Sequence, residues 1–166
     1  MTVNTRFSVA CHVLTLLELE RGQVITSDIV ARSVNTSPVV IRRLFCSLKA
    51  AGLILVRPGT GGTSLSRPAE EITLLDVYHA VDTERSDLFR LHDETNPKCY
   101  IGRNIHDALA APLLAADEAM KAALAQNTIA ELAAFIDRRH PARSGRRKDS
   151  FVIDSVTINQ QEEQIQ

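Results

Sequence analysis

Four arginines and three cysteines are the side chains of this sequence with the most chemistry to offer beyond packing. Arg42 and Arg43 are neighbours in "SPVVIRRLFCSLKA", and Arg57 and Arg67 frame "PGTGGTSLS". A guanidinium is permanently charged, and its planar fork of donors matches phosphate oxygens and the acceptor edge of guanine. Cys46 follows close behind Arg42 and Arg43, and nearby cations favour the reactive thiolate. Cys11, Cys46 and Cys99 are widely separated, without a Cys-x-x-Cys pair. They read as reduced thiols of a cytoplasmic protein. Paired carboxylates, a nucleophile elbow and a metal-ligand motif are all missing from the sequence, so an enzyme is not expected. No metal or other cofactor is expected either.

The elements that must position these groups can be read from periodicity. Residues 6–20 predict a helix with Phe7, Ala10, Leu14 and Leu17 on one face and Val9, Val13 and Leu16 on another. A helix apolar nearly all round needs cover on both sides, and a second subunit is one source of it. Gly22 ends this helix. Thr26 and Ser27 can cap the next, with Asp28 in its first turn and Ile29, Val30 and Val34 as its apolar stripe. Asn35 to Pro38 form a turn, with Ser37 at its end and Pro38 near the first helical position. The following helix reaches about Ala51 and stops at Gly52. At about 100° per residue, Val40, Ile41, Leu44, Leu48 and Ala51 share one side. Val39, Arg42, Arg43 and Cys46 share the other. Two short helices, a tight turn and a glycine stop have helix-turn-helix spacing.

Next come two short β-prone runs around a glycine-rich tip, the pattern of a hairpin. A hairpin directly after a helix-turn-helix predicts a wing, so the fold class is mainly α with a small β wing. Double-stranded DNA is the expected partner. Recognition would fall to Thr26, Ser27, Ser37, Pro38, Val39, Arg42 and Arg43. The wing would add Arg57, Gly59, Thr60, Gly61, Gly62 and Arg67, its glycines allowing close backbone approach and its arginines meeting phosphates or a narrow minor groove. A nucleotide phosphate loop does not fit, because no Gly-Lys-Ser/Thr follows the glycines.

Past the wing, residues 72–81 predict a helix capped by Thr73, and residues 82–101 a long loop with a turn at Thr95-Asn96-Pro97. A strong helical pattern then runs from Gly102 towards Gln126, where Pro112 should kink or restart the helix. Ile105, Leu109, Leu113, Ala116, Met120 and Leu124 recur at near-heptad steps, a seam suited to a homodimer. Thr128 and Glu131 form a capping box opening a last helix to about Arg139. At Pro141 the composition changes. The tail carries Arg143, Arg146, Arg147 and Lys148, then "SFVIDSVTI". Three regions result: a DNA-binding domain (1–81), a connecting segment with dimerisation helices (82–140), and a polar tail (141–166).

Composition agrees. The chain has 166 residues, 45% of them apolar and 23% charged, enough for one domain with a core. There is no apolar run of the roughly 18 residues a membrane span needs, and the N-terminus lacks the order of a signal peptide. The net charge of −1 hides an asymmetry. Residues 1–70 carry eight Lys or Arg against four Asp or Glu, net +4, and residues 71–140 carry seven against twelve, net −5. A basic N-terminal part fits a polyanion.

The stretches "SDIVARSVNTSPVVIRRLFCSLKAAGLI" and "RPGTGGTSLSRPAEEITLLDVYHAV" resemble the Rrf2 family of bacterial winged-helix transcription regulators. Gly61, Gly62, Leu65, Arg67-Pro68 and "EEITLLDVYHAV" carry the likeness, which covers about residues 1–137. The resemblance implies a homodimer in which the long C-terminal helix crosses to the partner and the N-terminal helix packs against it. Several family members hold an iron–sulfur cluster through three nearby cysteines before that helix. Here the segment holds Cys99 alone, so the chain is similar to the cluster-free branch. His12, His92 and His106 leave a mixed-ligand cluster as an alternative. Some members sense oxidants through thiols, which makes Cys11 and Cys46 candidates for a redox pair. The overall expectation is a dimeric DNA-binding regulator, a repressor. The alternative is a sensor whose C-terminal half binds a small ligand or partner protein.

Overall fold

A computed structural model describes residues 3–57, 62–81 and 94–139. The element order is α1 (Val3–Leu19), α2 (Ser27–Val34), α3 (Pro38–Ala50), β1 (Ile54–Arg57), β2 (Gly62–Leu65), a 3-10 turn (Ala69–Glu71), α4 (Leu74–Val81), α5 (Tyr100–Ala125) and α6 (Ile129–Arg139). This is a winged helix-turn-helix followed by a long helix and a short one.

The core gathers around α1. Ala10, Val13, Leu14 and Leu17 of α1 pack with Val30 of α2, with Ile41 and Leu48 of α3, with Val77 and Val81 of α4 and with Ile129 of α6. The second apolar face of α1 is therefore covered largely within the chain: α4 and α6 both lie against it, together with α2 and β2. Val13 and Leu16 are already buried within the single chain, and α6 is among the elements packed against α1.

On α3 the buried residues are Ile41, Leu44, Phe45 and Leu48, while Val40 is half-buried. Ala51, expected on the inner side, is exposed because it falls after the last helical turn, next to Gly52 at φ +69°. Phe45 extends the inner stripe beyond the predicted one.

The wing strands pair antiparallel, Ile54 with Leu65 and Arg57 with Gly62. Ile25, in the link before α2, forms a further bridge to Thr63, whose N–H donates to the Ile25 carbonyl at 2.8 Å. That contact explains a glycine. Gly62 sits at φ +67°, and a Cβ there would come within 2.9 Å of the Ile25 nitrogen. Only glycine suits both the conformation and the space.

The turn at 95–97 is present as an Asn-centred one: Asn96 Oδ1 accepts from the Lys98 N–H at 2.9 Å. α5 begins at Tyr100, two residues ahead of the predicted start, because the Cys99 and Arg103 amides already join the turn and the helix. Gly102 lies against this turn, where a Cβ would meet the Asn96 oxygen at 2.7 Å. Pro112 does not restart the helix; α5 continues through it for 26 residues. Proline removes the bond to the Ala108 carbonyl, but both positions are exposed, so water can take that carbonyl. The capping box at α6 is formed, the Thr128 N–H donating to Glu131 Oε2 at 2.8 Å and the Glu131 N–H to Thr128 Oγ1 at 3.3 Å. The tail at 141–166 lies outside the described residues.

Candidate nucleic-acid interface

Local capping sets the angle between α2 and α3. Thr26 caps α2 by accepting the Ile29 N–H at 3.3 Å. Asn35 ends it in the left-handed region at φ 56°, a conformation that asparagine tolerates. Ser37 caps α3, its hydroxyl 3.5 Å from the Val40 N–H, with Pro38 opening the helix. The caps release α3 with one face on the core and the other outward.

That outward face carries Val39, Arg42, Arg43 and Cys46, all exposed. Val39 is 52% exposed, unusual for a valine beside a well-formed core. Arg42 reaches back to α2, its Nε donating to Ser27 Oγ at 3.3 Å. Ser27 Oγ in turn donates to Asp28 Oδ2 at 3.3 Å. The start of α2 and the first turns of α3 thus form one polar, cation-bearing surface. α3 itself holds no acidic residue. Such a surface can present guanidinium donors to base edges and hydroxyls to phosphates.

Arg57 is exposed at the tip end of β1, opposite Gly62. Gly59, Thr60 and Gly61 lie outside the described residues. Arg67 departs from the sequence reading. Its Nη2 donates to Asp76 Oδ2 at 3.0 Å and its Nε to the Glu71 carbonyl at 3.2 Å. It ties the foot of the wing to α4, whereas Arg57 is exposed at the tip end of β1. The signal was in the sequence: Asp76 follows Thr73 by three residues, a capping arrangement whose carboxylate also accepts a cation.

The thiols sit in three environments. Cys46 and Cys99 are exposed. Cys11 is half-buried, and burial pushes its thiol up to about 11 in spite of an opposing backbone hydrogen bond. At neutral pH the Cys11 thiol therefore stays protonated in the reduced protein. The N–H groups of Gly102 and Ile101 at the start of α5 hold the Cys99 thiol below its ordinary value. His12 shares a 2.9 Å hydrogen bond with Ser33 Oγ, and burial lowers its pKa. Cys11, His12 and Ser33 line a mostly apolar groove of about 500 Å³ between α1 and α6, closed on one side by Leu132, Phe135 and Ile136. Sequence periodicity gave no sign of this groove.

Along α5, no residue is buried. Ile105, Leu109, Leu113, Met120 and Leu124 are half-buried and Ala116 is exposed. Among the described residues α5 packs chiefly against α4.

A recognition-type helix, a wing and a following long helix define a helix-turn-helix transcription regulator. The chain belongs to the Rrf2 family, described as iron-dependent transcriptional regulators, which matches residues 3–134. It is 38% identical over 130 residues to YwnA of Bacillus subtilis, provisionally named an HTH-type transcriptional regulator; the match covers 78% of this chain and 96% of YwnA. The fold is similar to that of a crystal structure of a Lactobacillus plantarum protein assigned as a transcriptional regulator, at TM-score 0.67 and 28% identity, covering 81% of this chain and 90% of that one. The global cysteine regulator CymR of B. subtilis shares the fold at TM-score 0.60 and 21% identity, over 81% of this chain and 97% of CymR. The family description raises the question of iron. Among the described residues no three His, Cys, Asp or Glu side chains come together as a metal site. Cys99 has no second thiol beside it, so this donor set does not fit an iron–sulfur cluster. His92 lies outside the described residues. No described helix is long and apolar enough to cross a membrane.

Proposed function

We propose that the protein is a homodimeric repressor that reads a specific DNA sequence through α3, steadied by its wing, and responds to thiol oxidation. The observation that carries DNA reading is the outward face of α3. Val39, Arg42 and Arg43 are left exposed by a helix whose other side is fully used by the core. Arg42 and Arg43 read base edges, Thr26, Ser27, Ser37 and Pro38 line the approach to the phosphates, and Arg57 neutralises a phosphate near the wing. Dimerisation is supported by α5. A 26-residue helix with an apolar seam and no buried residue is a surface that a second copy can cover. Two copies related by a two-fold axis would set two α3 helices against successive major grooves. Occupancy of a promoter by such a dimer blocks transcription.

Thiol response is supported by Cys46, exposed on α3 beside Arg42 and Arg43. In this reading a peroxide oxidises the Cys46 thiolate to a sulfenic acid and is itself reduced, leaving hydroxide. Cys11 of the partner then condenses with the sulfenic acid, forming the disulfide and releasing water. The bridge shifts α3 relative to the groove and releases the DNA.

Fluorescence anisotropy with a duplex from the region upstream of its own gene tests the central reading. Saturable binding that outcompetes random duplex and weakens with salt is expected. Equal affinity for both duplexes would remove sequence-specific reading.

A further inference from the structure

We propose that the Asp76 carboxylate is a relay holding the wing in register with the α5–α6 turn, and that Arg67 serves DNA binding as a positioning residue through it.

Three layers of hydrogen bonds meet at residues 72–76. The first faces the α5–α6 turn. The Ile129 N–H donates to the Ile72 carbonyl at 2.9 Å, and the Leu74 N–H donates to the Asn127 carbonyl at 2.8 Å. Ile72 and Ile129 are fully buried behind these bonds, and Thr73 and Thr128 form a bridge between them. The second layer caps α4. The Thr73 N–H and hydroxyl both donate to Asp76 Oδ2 at 2.9 Å, and the Asp76 N–H returns to Thr73 Oγ1 at 3.1 Å. The third reaches the wing. Arg67 Nη2 donates to the same Oδ2 at 3.0 Å, while its Nε holds the Glu71 carbonyl.

One carboxylate oxygen thus accepts from both sides. Arg67 lies just beyond β2, where the Ser66 N–H closes the hairpin base on the Leu53 carbonyl at 3.1 Å. Four residues of strand, about 13 Å at the usual rise, separate this foot from Gly62 and its partner Arg57. A small rotation at the foot becomes a larger displacement at Arg57. A tilt of α5 moves Asn127 and Ile129, and with them Thr73, Asp76 and Arg67. Contiguous bonds of this kind are a physical route by which the long helix can set the wing.

The effect on affinity rests on the DNA-binding reading; the linkage itself can be measured without DNA. The full chain is compared with Arg67→Ala, Asp76→Asn and the double variant, all checked for an unchanged helical spectrum and cooperative melting. Amide hydrogen exchange on the unliganded protein should speed up in each single variant at Thr63 and Ser66 in the wing and at Leu74 and Ile129 by the turn. A change confined to the altered residue's own side overturns the relay. Anisotropy with the upstream duplex should show about tenfold weaker binding for each single variant and no further loss in the double. The slope of log affinity against log salt should match wild type for Arg67→Ala, whereas Arg57→Ala lowers it by about 0.9. A reduced slope for Arg67→Ala, or additive losses in the double, would assign Arg67 to a phosphate and refute the positioning role. If the wild type binds no DNA, the functional reading fails and the exchange data alone decide the relay.

Discussion

Arg42 of α3 and Ser27 of α2 are joined across the helix-turn-helix, Nε to Oγ at 3.3 Å. The bond ties the Arg42 side chain to the start of α2 while the residue stays exposed. An arginine anchored in this way loses less freedom when it meets a base than one waving in solvent.

Arg42→Ala and Arg43→Ala should each weaken binding to the specific site by about 1–3 kcal/mol, the range for a side chain that reads a base edge. Ser27→Ala should have a smaller effect, through Arg42. Titration of each variant against specific and random duplexes at one salt concentration checks this. Losses equal on both duplexes would mark the arginines as phosphate contacts.

Sedimentation should give a species of about 37 kDa, twice the 18.3 kDa chain. Leu109→Asp should yield monomer or unfold the protein, since an unpaired charge at a buried seam costs several kcal/mol. A wild-type monomer at micromolar concentration contradicts the α5 assignment.

The Asp76 carboxyl leads to a pH dependence of stability. Partial burial raises its pKa, but the Thr73 N–H and hydroxyl and the Arg67 guanidinium outweigh this and hold it below the ordinary 3.8. A depressed folded value means that the unfolded chain takes up the proton first. The contribution is therefore complete above 3.8 and is lost as pH falls through the lower folded value. Melting curves of wild type and Asp76→Asn should differ at neutral pH and converge in acid. A gap that widens in acid has the wrong sign for this account.

Alkylation should separate the thiols. With its pKa at about 11 and its side chain half-buried, Cys11 should react far more slowly than exposed Cys46 in the reduced protein. Mass spectrometry after brief iodoacetamide treatment at pH 8 measures both. After mild peroxide, non-reducing gels should show a covalent dimer that disappears in Cys11→Ser and Cys46→Ser and persists in Cys99→Ser. A band that depends on Cys99 instead excludes the proposed pair.

Much of this protein was legible from local signals. Thr26, Ser37 and the Thr128–Glu131 box act over three residues, so their side-chain chemistry alone specifies where helices begin. The outward placement of Arg42 and Arg43 follows from helical period, because the buried partners Ile41, Leu44 and Leu48 lie on the same short helix. The Gly62 position needs no tertiary knowledge to be a turn, though its reason, the 2.9 Å approach to the Ile25 nitrogen, does. Other features were decided only when distant segments met. α1 packs against α6, more than a hundred residues later, and no periodicity says which element returns. Pro112 stays within α5 because the orphaned carbonyl faces water, a matter of which side of the helix is exposed. Arg67 pairs with Asp76 because the fold brings the foot of the wing onto the capped end of α4. Sequence determines the charge and the periodic face of a side chain; the tertiary fold determines which partner reaches it first, because pairing within the chain holds the group in place before any ligand arrives.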